Sequence, residues 1–480
     1  MSESDARLLV RSTQHTLDDL NDFSAHSLRL KLVDYLTDGN HSTFGEGLNE
    51  EAAALAINLL PREDISVATA KLHTDETQLD VFYPQLQIPL PSSSRSPLSI
   101  MIAEELQNLF AEEKGTIAHI LWSSNVAGPN VNNANSRPIG TAEFPLQLKE
   151  EISKRMRRSL GYAETYHLTF SLFTPESQPS SWDVEAAVQE TLDPLLQAFA
   201  SISKFTVDTQ VQIYAASSPT MPWPEYEESQ AAWMLKEEDL SAFINAAEWP
   251  LSPSIGAGPT INFILYVPSS SQNPLLVKED RASSWIIPQW GGVVLLNPPL
   301  IEDGEKHLTN PTHLSEESLR LAFLTFSHQL LALLGMPATP ASLPLRLRTL
   351  IRVHAASLLL SASSTMGSLA RLTESLPSIP IPQTVAASVS STLSRLSSTC
   401  SHLHEGRFMA ALASARVAEA EAERSFFEKS MVGQVYFPDE HKVAVYLPLL
   451  GPIGVPLIVG LVKEVKRWVV DYRAAKRRRI

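Results

Sequence analysis

Several residue types and motifs are scarce or missing in this chain of 480 residues. The single cysteine, Cys400, excludes an intramolecular disulfide framework and any zinc or iron–sulfur site built from several cysteines. Lys and Arg number 38 against 53 Asp and Glu, and the net charge of −15 disfavours binding to nucleic acid phosphates. The composition therefore indicates a globular protein without a nucleic acid partner.

Common catalytic and nucleotide-binding motifs are also missing, since the sequence has no P-loop, HExxH, GxSxG or GxGxxG pattern. Gly291-Gly292 is interpreted as a place of close backbone packing rather than a ligand loop. Cys400, His402 and His404 lie close together, but only Cys400 and His404 share a helix face. We interpret them as a buried thiol with structural histidines, and we predict no catalytic residue, cofactor or metal.

An uncharged stretch of 20 residues, Val443 to Val462, lies near the C-terminus. As a helix it would be roughly 30 Å long, the thickness of a bilayer core. Residues 463–480 carry eight Lys and Arg against two Asp and Glu, and such a basic flank stays in the cytosol. We predict a transmembrane helix at 443–462, a cytosolic tail at 463–480 and a lumenal or extracellular body before them. A buried core helix of a soluble protein is the alternative.

Three prolines recur every four residues within this stretch, at Pro448, Pro452 and Pro456. The spacing places all three on one helix face. Neighbouring helices and local adjustments can satisfy the carbonyls that proline frees in a membrane. One hypothesis is that this face packs against transmembrane helices of partner proteins, and the alternative is a kinked helix that faces membrane lipid.

The first 32 residues contain no apolar core of a signal peptide, because charged residues recur from Asp5 to Lys31. A body of some 440 residues is poorly suited to translocation behind a C-terminal anchor. We therefore expect the N-terminus to be incomplete. Asn40-His41-Ser42 is the one sequon without a blocking proline, so Asn40 is a candidate glycosylation site in a lumenal body, although a lone sequon also arises by chance.

Strand-like and helix-like segments alternate through the first part of the body, which predicts an α/β region with a mixed sheet flanked by helices over residues 1–310. Leu98–Phe110 and Trp182–Ser203 have helical periodicity. The predicted strands are Ala118–Trp122, Thr165–Phe173, Phe205–Ala215, Ile261–Val267 and Val293–Leu296.

The chain then becomes helical, which predicts a helical lumenal region at 311–436. Ser315 is a suitable N-cap, and Gly335 with Pro337 ends the first helix. Further helices are predicted at about 343–374, 385–403 and Phe408–Lys429.

Segments in a fixed order resemble the PIG-S family of GPI transamidase subunits. YHLTFSLFTPESQPSSWDVEAAVQETLDPLLQAF, FTVDTQVQIYA, NFILYVPSS and PQWGGVVLLN are similar to its lumenal core, and FFEKSMVGQVYFPDEHKVAVYLPLLGPIGVP is similar to its C-terminal end. The residues that carry the resemblance are Trp290, Gly291, Gly292, Tyr436, Phe437, Pro438 and Asp439.

This resemblance implies a non-catalytic subunit of the endoplasmic reticulum membrane complex that attaches GPI anchors to precursor proteins. In that family the catalytic cysteine and histidine belong to PIG-K, and the other partners are PIG-T, PIG-U and a GPAA1-like subunit. Family members also have an N-terminal transmembrane helix, which this fungal-like sequence lacks.

Two other interpretations stay open at this point. A lumenal, membrane-anchored hydrolase could hold scattered catalytic residues that no sequence motif reveals. A soluble cytosolic protein could instead bury the apolar C-terminal helix.

Overall fold

The computed structural model describes residues 2–33, 53–87, 96–123, 145–215, 222–243, 258–302, 308–376, 381–429 and 439–477. The chain divides into two compact units. One comprises Met1–Leu360 with Thr399–Ala413, and the other comprises Ser361–Ser398 with Ser414–Ile480.

The α-helices of the described ranges extend from the N-terminal segment to the C-terminal one. They are α1 Glu3–Leu20, α2 Pro97–Leu109, α3 Ala111–Ser123, α4 Leu146–Arg158, α5 Val184–Thr191, α6 Asp193–Ala198, α7 Glu316–Leu333, α8 Leu343–Ser375, α9 Gln383–His404, α10 Phe408–Phe426 and α11 Asp439–Arg477.

The strands all lie in the first unit. They are β1 Ala56–Pro61, β2 Thr69–Leu72, β3 Gln78–Tyr83, β4 Thr165–Phe173, β5 Ser181–Trp182, β6 Lys204–Gln212, β7 Glu225–Glu227, β8 Ala232–Leu235, β9 Thr260–Tyr266, β10 Leu275–Val277, β11 Ser284–Ile287, β12 Gly291–Leu295, β13 Ile301–Glu302, β14 Leu308–Thr309 and β15 His313–Leu314.

A small N-terminal sheet has the order β1-β3-β2, with β1 parallel and β2 antiparallel to the central strand. Leu79, Val81 and Tyr83 alternate along β3 and are buried, as expected for one face of a strand. They share a hydrophobic core with Leu9 of α1 and Ile102 of α2. This packing explains why α1, with its many charged residues, folds against the body of the first unit.

The central sheet has the order β11-β12-β9-β4-β6, in which β11 is antiparallel and the other four strands are parallel. Residues of β4 pair in register with both neighbours, for example Phe170 with Thr209 of β6 and with Phe263 of β9. The predicted α/β region with a mixed sheet is therefore confirmed.

One face of this sheet packs against α7 through aromatic rings. The Phe170 and Phe263 rings stack with centroids 5.1 Å apart, and Phe323 of α7 lies 5.4 Å from Phe170. Phe326 lies 5.2 Å from Phe263, and all four side chains are buried. Such aromatic pairs contribute about 0.5–1.5 kcal/mol beyond the burial of their area, so they fix α7 on the sheet.

The opposite face carries a second core where β9 and β12 meet β8 and β10. Ile264, Tyr266 and Val293 are buried there with Leu235 and Phe243. On the same face, β4 begins with the polar side chains of Thr165, His167 and Thr169. His167 Nδ1 lies 2.6 Å from Thr206 Oγ1 of β6. This face is therefore apolar at β9 and β12 and polar at the start of β4.

One prediction of local structure is wrong. Ala118–Trp122 belongs to helix α3, because Thr116 and Ile120 occupy one buried helical face. Trp182–Ser203 is largely helical, as predicted, but it is divided into α5 and α6, and Pro194 lies in the first turn of α6, where proline is tolerated. The predicted helices at 98–110, 315–333, 343–374, 385–403 and 408–429 are confirmed with small shifts at their ends.

The second unit is helical in its described residues. Ala362, Ala418 and Ala422 form a small core, and Leu369 with Val385 forms another. Ser361 donates a hydrogen bond of 2.9 Å to Glu419. Among the helices of the described ranges, none combines the length and the hydropathy that a bilayer crossing requires.

Candidate functional site

The two glycines before Val293 are the first residues of β12, and each lies close to a neighbouring element. A Cβ at Gly291 would lie closer than 3.0 Å to the backbone of Asn262, the partner of Gly291 in β9. A Cβ at Gly292 would lie closer than 3.0 Å to the side-chain amide of Gln329 in α7. A side chain at either position would therefore displace a neighbouring backbone or side chain.

Gln329 uses this space to complete hydrogen bonds inside the core. Its side chain is buried, and Nε2 donates to the carbonyl oxygens of Trp285, at 3.1 Å, and Val293, at 3.2 Å. Trp290 is partly buried and packs against the second core, and its carbonyl accepts from Asn262 N at 3.1 Å. The three central residues of the resemblance therefore have structural roles.

A buried ion pair joins α3 to α8, and sequence reasoning missed it. The Glu113 side chain is only 3% exposed and accepts two hydrogen bonds from Arg352, of 2.7 and 2.6 Å. Thr349 donates to the same carboxylate at 3.0 Å, and His26 Nε2 lies 3.5 Å away. The guanidinium also lies over the ring of Phe110, with 5.5 Å to its centroid. These partners are separated by up to 239 residues, so no local pattern reveals them.

The preceding residue, Glu112, forms a second buried pair with Arg155 of α4. Its carboxylate also accepts from the backbone N–H of Ala338, at 3.2 Å, and of Thr339, at 3.0 Å. Adjacent carboxylates thus connect α3 with α4, α8 and the segment after α7. We name the side chains of Glu112, Glu113, Arg155 and Arg352 the buried charge centre.

Electrostatics keep Glu113 and Arg155 ionised. Burial raises the pKa of Glu113, but the charge and hydrogen bonds of Arg352 and His26 outweigh this and lower the pKa to about 2. Burial and the charge of Arg158 lower the pKa of Arg155 to about 10, at which it still keeps its proton at neutral pH. Truncation of one partner would leave a buried charge without compensation.

A serine, a histidine and an aspartate meet where β5 pairs with β15. Ser181 Oγ lies 2.9 Å from Nδ1 of His313, and Nε2 of His313 lies 3.1 Å from Asp183 Oδ2. The histidine and aspartate side chains are 47% and 46% exposed. Of the contacts in the described residues, we relate this one to the hydrolase alternative, because it brings together a serine, a histidine and an aspartate.

Cys400 is exposed, so its interpretation as a buried thiol is wrong. It lies with His402 and His404 in the last turns of α9. Among the described residues, no three His, Cys, Asp or Glu side chains are placed to hold a metal ion.

Other predicted residues fall outside the described ranges or at their edge. Asn40, Tyr436, Phe437 and Pro438 lie outside, and Asp439 is the first residue of α11.

Helix α11 includes Pro448, Pro452 and Pro456 in its interior. The exposed fractions of its large apolar side chains between Val445 and Val462 range from 46% to 68%. Apart from the adjacent backbone of its own helix, a Cβ at Gly451 would meet no atom of the described residues within 4 Å. A contiguous apolar surface of this kind marks a site for another protein or for lipid, because water-exposed helices keep polar residues on one face.

Comparison with known proteins gives consistent matches. The family model of phosphatidylinositol-glycan biosynthesis class S protein matches residues 1–471. A GPI transamidase component PIG-S homolog from Schizosaccharomyces pombe is 29% identical over 432 residues, which are 87% of this chain and 72% of that protein. The GPI-anchor transamidase component PIGS of Homo sapiens is 28% identical over 333 residues, 66% of this chain and 60% of that protein. GPI transamidase component GPI17 of Saccharomyces cerevisiae is 24% identical, and the match covers 61% of its length.

Proposed function

The chain belongs to the PIG-S family, and we propose from this that it is a subunit of a GPI transamidase complex. In this role it supports the attachment of GPI anchors to precursor proteins in the endoplasmic reticulum. The observation that carries the proposal is the family match over residues 1–471, together with relatives named as components of that transamidase. The match spans 60% of the human relative, so the activity and partners of the complete complex are part of the proposal.

The proposed role is non-catalytic, with the catalytic cysteine and histidine in a PIG-K subunit. The structural roles of Gly291, Gly292 and the buried charge centre support this assignment. Gly291 and Gly292 permit backbone packing and Gln329 hydrogen bonds, and the buried charge centre holds helices together rather than facing a cleft.

We further propose that residues 443–462 of α11 cross the membrane of the endoplasmic reticulum, with residues 463–480 in the cytosol and the body in the lumen. Support comes from the 20 uncharged residues and from the exposure of their apolar side chains. Trp468 and Tyr472, whose rings stack at 5.8 Å, follow this stretch, as aromatic residues do at membrane interfaces. The boundaries at 310 and 436 and the glycan at Asn40 remain predictions.

The proline face of α11 is proposed to contact membrane-embedded partners among PIG-K, PIG-T, PIG-U and a GPAA1-like subunit. Glycine and proline lie together there, and small residues let neighbouring backbones approach closely in membranes. Gly451 has open space around it in the described part of the chain, so no contact there requires a glycine.

The hydrolase alternative is supported by the contact of Ser181, His313 and Asp183. The geometry allows the histidine to accept the serine proton. Both side chains of the His313–Asp183 pair are nearly half exposed, so water screens the interaction that would orient the histidine. In the familiar hydrolases the Nε2 atom contacts serine, whereas here Nδ1 does. We therefore assign the contact a role in pairing β5 with β15.

Affinity capture of the full-length protein in mild detergent tests the proposal. We expect the other transamidase subunits to co-purify, including a cysteine protease of the PIG-K type. Repeated absence of that subunit from an otherwise intact membrane complex would contradict the proposed role.

A further inference from the structure

The central sheet changes its direction of winding between two adjacent strands. From β4 the chain continues to β6 on one side, and from β9 it continues to β12 on the other. Open parallel sheets bind ligands in the crevice at the carboxyl ends of two strands related in this way. The segments after Phe173 and Tyr266 form that crevice here.

Hydrogen bonds fix both sides of the crevice. Glu176, after β4, accepts from Ser270, after β9, through the backbone N–H at 3.1 Å and the hydroxyl at 3.2 Å. Asn310 Nδ2 donates to the carbonyl of Pro268 at 2.9 Å. Thr174 Oγ1 donates to the carbonyl of Gln178 at 3.0 Å. The loops are thus held in place by contacts within the chain.

A cleft of about 380 Å³ lies beside these contacts. This volume falls within the range of about 300–1,000 Å³ that small-molecule sites occupy. The described residues that line it are predominantly polar and include two carboxylates and no Lys or Arg. They are Glu176, Ser177, Gln178, Ile301, Glu302, Thr309, Asn310 and Thr312.

Asn310 lines this cleft and has a buried acceptor without a partner among the described residues. Its side chain is 2% exposed, and while Nδ2 binds Pro268, the Oδ1 atom has no hydrogen-bond partner in the described part of the chain. A buried polar atom without a partner is unfavourable, so a ligand donor that reaches this atom would stabilise the complex. The carboxylates of Glu176 and Glu302 add negative charge at the same cleft.

We propose that the cleft binds an amino sugar, whose hydroxyl groups donate to Asn310 Oδ1 and whose ammonium group lies near the carboxylates of Glu176 and Glu302. If the proposed function holds, on which this last step rests, the sugar belongs to the glycan of the anchor. The subunit would then hold the polar part of the anchor while a partner carries out the chemistry.

Calorimetry on the full-length protein in detergent tests the proposal with a glucosamine tetramer and with the same tetramer fully N-acetylated. Acetylation keeps the sugar ring and removes the charge. We expect millimolar or tighter binding of the amine form and at least about tenfold weaker binding of the acetylated form, a difference of about 1.4 kcal/mol. Equal affinities, or no heat from either tetramer at millimolar concentrations, would overturn the proposal.

Matched variants locate the site. Glu302→Gln changes an exposed residue of the cleft, and Glu176→Gln changes the residue that bridges the loops. Both should weaken binding of the amine form at least fivefold. The control is Glu164→Gln, an exposed residue before the opposite end of β4, and it should bind as the native protein does. Native affinity in both cleft variants would contradict the assignment.

A competition experiment separates this inference from the proposed function. Soluble glycan released from GPI-anchored protein should displace the glucosamine tetramer, and failure to displace it would exclude the anchor as the source of the sugar. Glu302→Gln should still co-purify with the other subunits. If the native protein itself does not co-purify with the other subunits, its membership of the complex is contradicted.

Discussion

Gly292 faces Gln329 across the boundary between the central sheet and α7, and the space that a Cβ would occupy is filled by the Gln329 amide. The amide in turn donates to two carbonyl oxygens of the sheet edge formed by β11 and β12. A glycine that has no side chain thus allows a buried polar side chain to hold a helix on a sheet.

This relationship predicts that alanine substitutions at Gly291 and Gly292 destabilise the protein by different amounts. Gly292→Ala should destabilise the protein by about 1–3 kcal/mol, because the Gln329 amide must leave its buried acceptors. Gly291→Ala should cost about 3 kcal/mol or more, because the backbone of Asn262 cannot move aside. Thermal unfolding of the detergent-purified protein measures both.

Gln329→Ala provides the matched control. The double variant Gly292→Ala/Gln329→Ala should be more stable than the sum of the single effects predicts, since the obstructing amide is gone. Gln329→Ala should not rescue Gly291→Ala. Additive effects at Gly292 and Gln329 would contradict the proposed contact.

The buried charge centre predicts a specific loss of stability in acid. The folded pKa of Glu113 is about 2, below the ordinary value of 4.5. Between these values the unfolded chain binds a proton that the folded chain does not, so stability rises with pH. The stabilisation is complete above about pH 4.5, on the order of 3 kcal/mol, and is lost as pH falls toward 2.

Glu113→Gln should remove this part of the pH dependence. It should also lower the free energy of unfolding at pH 7 by about 3–5 kcal/mol, because Arg352 remains buried without its partner. Glu3→Gln, in an exposed pair with Arg7, serves as the control and should change neither quantity appreciably. A pH profile of Glu113→Gln parallel to that of the native protein would refute the assignment.

Replacing Pro448, Pro452 and Pro456 by leucine tests the partner face of α11. The apolar length is kept, so the variant should remain in the membrane fraction after carbonate extraction. Co-purification of membrane-embedded subunits should decrease severalfold if the face packs against them. Unchanged recovery would favour the alternative of a helix surrounded by lipid.

Ser181→Ala tests the hydrolase alternative. Because Ser181 is exposed and its hydroxyl hydrogen-bonds to the exposed His313, the protein should remain folded. We expect GPI-anchor attachment in cells to proceed at the native level. A loss of attachment with normal complex assembly would show that the serine has a chemical role.

Much of the central sheet could be predicted because its strands carry strong local patterns. Thr165–Phe173 was predicted with the bounds of β4, since polar and apolar residues alternate along it. The prediction of a strand at Ala118–Trp122 is wrong because a short apolar run fits a strand and a buried helix equally well. In the structure Thr116 and Ile120 are buried on one face of a helix.

Features formed between distant segments could not be predicted in the same way. Glu113 and Arg352 lie 239 positions apart, and Asn310 reaches the crevice from a segment 42 residues after Pro268. Helix α1 was missed although a local signal existed, because Leu9, Thr13 and Leu17 recur every four residues and are buried. The charged residues between them obscured that stripe.

Depletion of this protein from its native cells, followed by analysis of a GPI-anchored reporter, tests the central claim most directly. The account predicts that the reporter precursor accumulates with its C-terminal signal uncleaved and that its surface level falls, and that the native chain restores both. Normal cleavage and anchoring of the reporter in depleted cells would contradict a role in the transamidase.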